Sequence, residues 1–484
     1  MLNRLPWHLA VLCLFATASI VARSEPDWVT PEFRVQTDML EVQFSDSAGS
    51  ALAFAGRNER GQPRLGLIRV NGDSVTFREM ELPNSAIAID KATVGRDVEG
   101  LFVLTSDNVQ ALQNFDGELA VVATSKSLFR GRSLAELTSG LDFARDIDAD
   151  NQAEFVVPDF DVMHVIDDAE RREVALASFR RTYDQSTTYR PPNITAAAAI
   201  GGGTLYSVRG SELLSVPPNA TEPRSSDLDL GLSDELALER YYNSYEDIDQ
   251  NDIVLREMDR FVDINGDDVP DIMTLETVSQ GVFDKTTTYR VHHGSVDSDA
   301  LIFAASADTT LSSRGYQIGM RLEPLDDDRK MLVVASVQVG VRAIIGALFS
   351  RSVTMRVDIH TSDQSGTINS EPTTEIKSRV KFDFGTGQVE FPTIAFGDLD
   401  GDGTNDLILK ERKRALSWRQ GVPGGGFENR SSKLAITGPA DGTQVALADL
   451  NGDSRDEVVI RFGRADGESL AGKIAVHRDF ELPD

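Results

Sequence analysis

The sequence predicts an all-β protein built from repeated units of short strands, and three observations lead to this prediction. Four segments share one acidic loop pattern, and each loop lies between two short apolar stretches. The chain of 484 residues is also longer than one simple core usually serves, so several domains or a repeat array are expected. Hydrophobic residues make up 40% of the chain, which is enough for a packed core.

The charge and the cysteine count exclude several classes of protein. The chain has 77 acidic against 48 basic residues, a formal net charge of −29. Proteins that bind nucleic acid, phosphate or anionic membranes need a basic surface, so these partners are disfavoured. The single cysteine, Cys13, excludes a disulfide framework and a cysteine-based metal cluster.

Residues 1–24 are predicted to be a secretory signal peptide. Arg4 gives a basic start, and the apolar run from Leu9 to Val21 is too short to span a bilayer comfortably. An uncleaved N-terminal anchor is the alternative. Cleavage would remove Cys13, and the loss of Arg4 and Arg23 would bring the charge from −29 to −31. A cysteine-free exported chain fits a periplasmic or secreted bacterial protein, because eukaryotic secreted proteins usually carry disulfides.

The four acidic loops begin at Asp146, Asp263, Asp398 and Asp449, and oxygen-bearing side chains stand at loop positions 1, 3, 5 and 9. These side chains are Asp146, Asp148, Asp150 and Glu154; Asp263, Asn265, Asp267 and Asp271; Asp398, Asp400, Asp402 and Asp406; and Asp449, Asn451, Asp453 and Glu457. So many carboxylates in nine residues repel one another unless a cation binds. Ca²⁺ takes six to eight oxygens, so the pattern predicts up to four Ca²⁺ ions.

Other loop positions fit the same interpretation. Small or turn-forming residues at positions 4 and 6, such as Gly401 and Gly403, let the chain wrap around an ion. The carbonyl at position 7, Thr404 in the third loop, would supply a further oxygen. A set of solvated acidic turns is the alternative.

An EF-hand does not fit these loops, because its loop needs a bidentate Glu at position 12. That position holds Val157, Thr274, Leu409 and Ile460. The segments that follow are FVVP, IMTL, LILK and VVIR, which are typical of buried strands rather than helices. The repeated unit is therefore predicted to be strand, acidic loop, strand.

This strand–DxDxDGxxD–strand unit resembles the FG-GAP or VCBS repeat of integrin-α-like β-propellers. The resemblance covers the four loops, about a tenth of the chain. It implies a propeller of four-stranded blades, with a Ca²⁺ loop between the first and second strands of four blades. Phe396-Gly397 is the nearest trace of the family's Phe-Gly signature, and Glu154 and Glu457 replace the family's usual Asp at position 9.

The spacing of the strands favours eight blades over residues 25–484. The first strands of the four blades without calcium loops are expected near 40–44, 85–90, 195–200 and 319–324. Seven blades is the precedent in the family. The last unit, from Thr443, has room for three strands, and a strand near 28–36 could complete it and close the ring. A linear β array is the alternative. Insertions are expected near 232–252 and as a long strand pair near 340–390.

No catalytic motif is evident in the sequence. The five histidines after residue 24 lack HExxH spacing, and no G-x-S-x-G elbow occurs. His292 and His293 are adjacent in a predicted strand, so their side chains should point to opposite faces. The favoured function is a non-catalytic, calcium-stiffened propeller that binds a protein or polysaccharide, without nucleic acid and without a membrane span after signal cleavage. An extracytoplasmic enzyme on the same scaffold, such as a carbohydrate-active lyase or a dehydrogenase, is the alternative.

Overall fold

The computed structural model describes residues 25–128, 136–167, 170–183, 186–196, 202–234, 253–281, 285–298, 300–314, 316–325, 329–337, 350–363, 366–383, 388–410, 414–478 and 482. Apart from two short 3-10 turns, Gly442–Gln444 and Arg464–Asp466, the regular structure described is β-strand. Eight of the sheets have four or five strands and are antiparallel, apart from one short parallel pairing of Thr138–Ser139 with the strand that contains Ala88. We number these sheets as blades 1 to 8 in chain order.

The first four blades follow one another along the N-terminal half. Blade 1 contains β2 (Phe33–Val35), β3 (Leu40–Val42), β4 (Ala51–Asn58), β5 (Pro63–Asn71) and β6 (Ser74–Glu81). Blade 2 contains β7 (Ala86–Gly95), β8 (Val98–Thr105), β9 (Asn108–Leu112), β10 (Ala120–Thr124) and β11 (Thr138–Ser139). Blade 3 contains β12 (Ala144–Arg145), β13 (Glu154–Pro158), β14 (Met163–Asp167) and β15 (Glu170–Val174). Blade 4 contains β18 (Ile194–Ala196), β19 (Leu205–Arg209), β20 (Glu212–Val216) and β21 (Arg224–Asp227).

The other four blades complete the set. Blade 5 contains β22 (Ile253–Val262), β23 (Asp271–Ser279), β24 (Lys285–His292) and β27 (Thr309–Arg314). Blade 6 contains β28 (Tyr316–Pro324), β29 (Lys330–Val337), β30 (Ser352–Thr361), β31 (Thr374–Asp383) and β32 (Gln388–Glu390). Blade 7 contains β33 (Ile394–Gly397), β34 (Asp406–Lys410), β35 (Ala415–Arg419) and β36 (Ser432–Thr437). Blade 8 contains β37 (Val445–Ala448), β38 (Glu457–Arg461), β39 (Ile474–His477) and β1 (Asp27–Val29).

The N-terminal strand closes the ring by joining the last blade. In β1, Asp27 pairs with Val476 and Val29 pairs with Ile474 of β39. The prediction of an N-terminal closing strand is thus confirmed. The closing strand is Asp27–Val29, however, and the second half of the predicted segment is β2, which pairs with β4 in blade 1.

The core consists of apolar clusters between successive blades. Within the described residues there are eight such clusters, for example Ala53 and Val42 of blade 1 against Leu101 of blade 2. Another cluster packs Phe54 of blade 1 against Val459 of blade 8. Eight clusters between eight blades make a closed ring, so the all-β, eight-blade propeller is confirmed over the linear array and over seven blades.

The predicted insertions have different outcomes. The long strand pair predicted near 340–390 is β30 and β31, which belong to blade 6 and bury Val357 and Ile376. Residues 340–349 of the predicted segment lie outside the described residues. The insertion near 232–252 lies almost wholly outside the described residues. Two hairpins that the sequence pattern did not predict are β16–β17 (Phe179–Tyr183 and Ser186–Arg190) and β25–β26 (Gly294–Asp297 and Ala300–Phe303).

Candidate functional site: four acidic loops

The four acidic loops occupy equivalent places in blades 3, 5, 7 and 8. Each joins the first strand of its blade to the second, and position 9 is the first residue of the second strand in every case: Glu154, Asp271, Asp406 and Glu457. The predicted order of strand, loop and strand is therefore what the structure contains.

The backbone of the four loops turns at the same two positions. Positions 4 and 6 are left-handed in every loop, with φ between 62° and 81°, at Ala149 and Asn151, Gly266 and Asp268, Gly401 and Gly403, and Gly452 and Ser454. Side chains with a Cβ are strained in this region, and glycine is not. One loop conformation thus recurs with four different sequences.

Backbone N–H groups hold the carboxylates inside each loop, and the third loop shows the pattern. Asp398 accepts from the N–H groups of Gly401 at 2.7 Å and Gly403 at 2.7 Å. Asp402 accepts from the N–H of Thr404 at 2.8 Å, and Asp406 accepts from the N–H of Leu399 at 3.1 Å. Equivalent bonds occur at Asp146, Asp150 and Glu154, at Asp263, Asp267 and Asp271, and at Asp449, Asp453 and Glu457.

The side chains at positions 1, 3 and 9 converge. Carboxylate oxygens lie within 4.8 Å of one another in two loops, in the sets Asp146, Asp148 and Glu154, and Asp398, Asp400 and Asp406. In the other two loops position 3 is an amide. Asn265 donates to Asp267 at 3.0 Å, and Asn451 donates to Glu457 at 2.7 Å. An amide turned about its last bond presents an oxygen instead, so all four donor sets fit a hard cation such as Ca²⁺.

Burial disfavours the ionised form of three of the four carboxylates at position 9, those of Glu154, Asp406 and Glu457. Asp271 and Asp406 are 0% exposed, and Glu457 is 2% exposed. Burial, with a smaller contribution from neighbouring carboxylates, raises the pKa values of Glu154, Asp406 and Glu457 to about 7, against the lowering effect of their backbone hydrogen bonds. Burial also raises the pKa of Asp400, and the adjacent Asp402 adds to the effect. A bound cation would stabilise the ionised form of these groups.

The loops receive support from residues that the sequence pattern did not predict. Gly421 and Gly294 donate their N–H groups to Asp406 at 2.7 Å and to Asp271 at 2.9 Å. Gln420 donates to Asp400 at 2.7 Å. The two glycines stand just after the third strand of the two blades whose position 9 is Asp, and this shared spacing is the signal that could have revealed them.

Neighbouring loops also contact one another, which places them on one face of the ring. Asp456 in the fourth loop accepts from the N–H of Asp398 at 2.9 Å and donates its own N–H to the Asp398 carbonyl at 2.7 Å. The fourth loop accepts from the N–H of Ser50 in blade 1 at 2.8 Å through Asp449. The third loop reaches blade 6, where Asn405 donates to the Pro324 carbonyl at 2.8 Å.

The five histidines lie in blades 3, 5, 6 and 8. The Nδ1 of His292 lies 3.0 Å from the carbonyl oxygen of Ala304, whereas the Nδ1 of His293 lies 3.2 Å from Oδ1 of Asp271. The adjacent rings thus meet different partners, as alternation along a strand predicts. Burial lowers the pKa of His292, and the hydrogen bond to Asp271 raises the pKa of His293.

Comparison with known proteins gives one family match and several distant structures. The FG-GAP-like repeat family model matches residues 398–460, which hold the third and fourth loops. No curated protein matches the chain. The core factor of S. cerevisiae is similar with a TM-score of 0.35 and 10% identity, over 81% of this chain and 60% of that chain. This chain thus spans less than two thirds of the length of that relative.

Two further chains give comparable values. The WD40 domain of SCAP from fission yeast has a TM-score of 0.28 and 10% identity, over 80% of this chain and 96% of that chain. YCF48 from Cyanidioschyzon merolae has a TM-score of 0.32 and 12% identity, over 80% of this chain and 95% of that chain. No helix among the described residues is long and apolar enough to cross a membrane. The chain is an eight-bladed β-propeller protein that carries an FG-GAP-like repeat at residues 398–460.

Proposed function

We propose that this protein is a calcium-stiffened binding scaffold that acts outside the cytoplasm. The observation that carries the proposal is the recurrence of one loop in four blades, with the same left-handed turns and a position 1 carboxylate held by the same loop N–H group. In two of these loops three carboxylates also converge. The oxygen donors of the loop are those that Ca²⁺ prefers, and a bound ion would stabilise buried carboxylates that are otherwise costly to ionise. The residues proposed to hold the ions are those at positions 1, 3, 5 and 9, with the position 7 carbonyl of Thr404 in the third loop.

Calcium should raise the thermal stability of the folded protein. A ligand that binds only the folded state stabilises it by mass action, about 2.7 kcal/mol for one site at one hundred times its Kd. We expect a melting midpoint at least about 5 °C higher in millimolar Ca²⁺ than in excess EDTA. The measurement is circular dichroism melting of the full-length protein, and equal midpoints would refute calcium binding.

A single-loop variant tests whether the sites are separate. Asp402→Ala should remove one of four binding events in isothermal titration and only part of the calcium-dependent shift, because three other loops remain. Asp229→Ala changes an exposed acid outside the loops and is the matched control. This variant should retain all four binding events. Loss of the entire shift in Asp402→Ala would contradict independent sites.

The proposed location depends on residues 1–24. If they direct export, protein recovered from the extracytoplasmic fraction should have its N-terminus near Glu25, as N-terminal sequencing would report. Recovery only from the cytoplasm with Met1 retained would count against export. The proposed role is non-catalytic, with a protein or polysaccharide partner, and a pull-down with and without Ca²⁺ addresses the partner.

A further inference from the structure

The face opposite the acidic loops carries a large cleft lined mainly by blades 1 and 8, with the end of β32 of blade 6 at one side. Strand β38 begins at the fourth loop with Glu457 and ends in this cleft with Arg461. The cleft has a volume of about 1360 Å³. That volume exceeds the roughly 300–1,000 Å³ of typical small-molecule pockets, so a polymer segment fits it better.

Arginines give this cleft a charge unlike that of the whole chain. Six of them line it, and we call it the arginine cleft: Arg34, Arg57, Arg60, Arg64, Arg461 and Arg464. Five acidic side chains also line it, so its local balance is slightly positive in a protein of net charge −29. Three of these charges are paired with groups that do not line the cleft: Asp466 with Arg414, Glu390 with Lys381 at 3.5 Å, and Arg64 with Glu81 at 2.7 Å. The remaining balance is five arginines against three acids.

Four of these arginines have no carboxylate partner in the described part of the chain. Arg34, Arg60 and Arg464 are exposed, and among the described residues their guanidinium groups make no hydrogen bond or ion pair. Arg461 is half-buried and donates to neutral oxygens, those of Gln444 and of the Thr37 carbonyl at 3.1 Å. These groups remain able to bind carboxylates, and an arginine fork can do so with two parallel hydrogen bonds.

The residues that line the cleft favour an acidic polypeptide over an anionic polysaccharide. Sugars usually stack on exposed aromatic rings. The two aromatic residues that line the cleft, Phe33 and Phe462, are 6% and 4% exposed and so offer no open ring face. The exposed acids Glu32 and Glu59 alternate with the arginines and would repel a uniform polyanion. A polypeptide whose acidic residues are interspersed with neutral ones avoids that repulsion.

We infer that the arginine cleft binds an acidic, extended peptide segment of a partner protein. This inference rests on the proposed scaffold function, because it names the class of partner and the face that receives it. The acidic loops stiffen one face of the ring, and the arginine cleft receives the partner on the other.

The test is fluorescence anisotropy with a labelled ten-residue peptide of alternating Glu and Ser. The full-length protein should bind it, and the affinity should fall as salt is raised. The triple variant R34S/R60S/R464S should lose about tenfold or more in affinity, since each exposed ion pair contributes a few-fold. The matched control R96S/R224S/R260S replaces three arginines on other blades and should bind as the unmodified protein does. Melting midpoints equal to that of the unmodified protein establish that both triple variants are folded.

Three outcomes would overturn the inference. They are no binding at about 1 mM peptide in low salt, equal losses in both triple variants, and tighter binding of polygalacturonate than of the peptide. Thermal melting of the same preparation in Ca²⁺ and in EDTA tests the calcium role separately from the arginine cleft. A normal calcium shift without peptide binding refutes only the arginine cleft, and peptide binding without a calcium shift refutes only the calcium role.

Discussion

At the scale of single residues, the loops depend on close backbone approach as much as on acidic side chains. Gly421 donates its N–H to the buried Asp406. A methyl group on Gly421 would lie 2.5 Å from the carbonyl oxygen of Asn405. No real Cβ tolerates that distance from a backbone atom, so the strand end and the loop would have to separate. The glycine is therefore part of the third loop, although it is 15 residues from Asp406 in sequence.

Gly421→Ala should destabilise the protein by about 2 kcal/mol, because overpacking of this kind costs roughly 1–3 kcal/mol. It should also weaken calcium binding at the third loop, since Asp406 loses one of its two N–H partners. Urea unfolding with and without Ca²⁺ measures both effects. Gly319→Ala is the control, because a Cβ there would meet open space. A change of less than about 0.5 kcal/mol at Gly421 would contradict the steric argument.

At the scale of elements, adjacent loops act on one another through Asp456. This residue follows position 7 of the fourth loop, yet its carboxylate accepts from the first residue of the third loop at 2.9 Å. Burial raises its pKa to about 7 and the nearby Glu41 adds to this effect, whereas the backbone hydrogen bond from Asp398 opposes it. Arg455 extends the contact by donating to the Leu399 carbonyl at 3.0 Å. An ion in one loop would thus order groups that also shape the other.

Asp456→Ala should therefore reduce calcium affinity in both the third and fourth loops, although Asp456 is not a proposed ligand. The Asp398 N–H would lose its acceptor, which costs about 1–3 kcal/mol for a buried group. Isothermal titration should show two weakened sites and two unchanged ones. Weakening confined to the fourth loop would argue against coupling, and Asp229→Ala again serves as the control.

Local sequence patterns predicted the strands and the turns of the acidic loops, because the carboxylate spacing and the flanking apolar runs all occur within nine to fifteen consecutive residues. The supporting contacts of Gly421 and Asp456 could not be predicted in this way. They join residues from different strands or blades, and their positions depend on how the ring packs. The same limit explains why the closing strand is Asp27–Val29. Both it and Phe33–Val35 have strand-like patterns, and only the tertiary partner decides which blade each one joins.

At the scale of the whole molecule, the ring is closed by strands from both ends of the chain. Beyond the β1–β39 ladder, Arg478 pairs with Asp27 at 2.6 Å. Val29 is 4% exposed and joins the cluster between blades 8 and 1. Without β1, blade 8 would expose the edge of β39 and open the ring at one interface.

Deletion of residues 1–31 should lower stability by about 3 kcal/mol or more, because it removes a ladder and part of a buried cluster. We also expect concentration-dependent association through the exposed edge. Melting and light scattering measure the two effects. Deletion of residues 1–24 alone keeps β1 and is the control. Equal stability and a monomeric state in both deletions would contradict closure by β1.

This closure also constrains how the protein acquires its fold. The Asp27–Arg478 pair joins residues 451 positions apart, so the eighth blade cannot be completed until residue 478 has been synthesised. Long-range pairings of this kind slow folding, because the entropy of loop closure is lost before the contact forms. The interfaces between successive blades from blade 1 to blade 7 can form earlier. The interface between blades 8 and 1 can form only after β1 and β39 have paired. The step that locks a ring of this topology therefore comes last in folding.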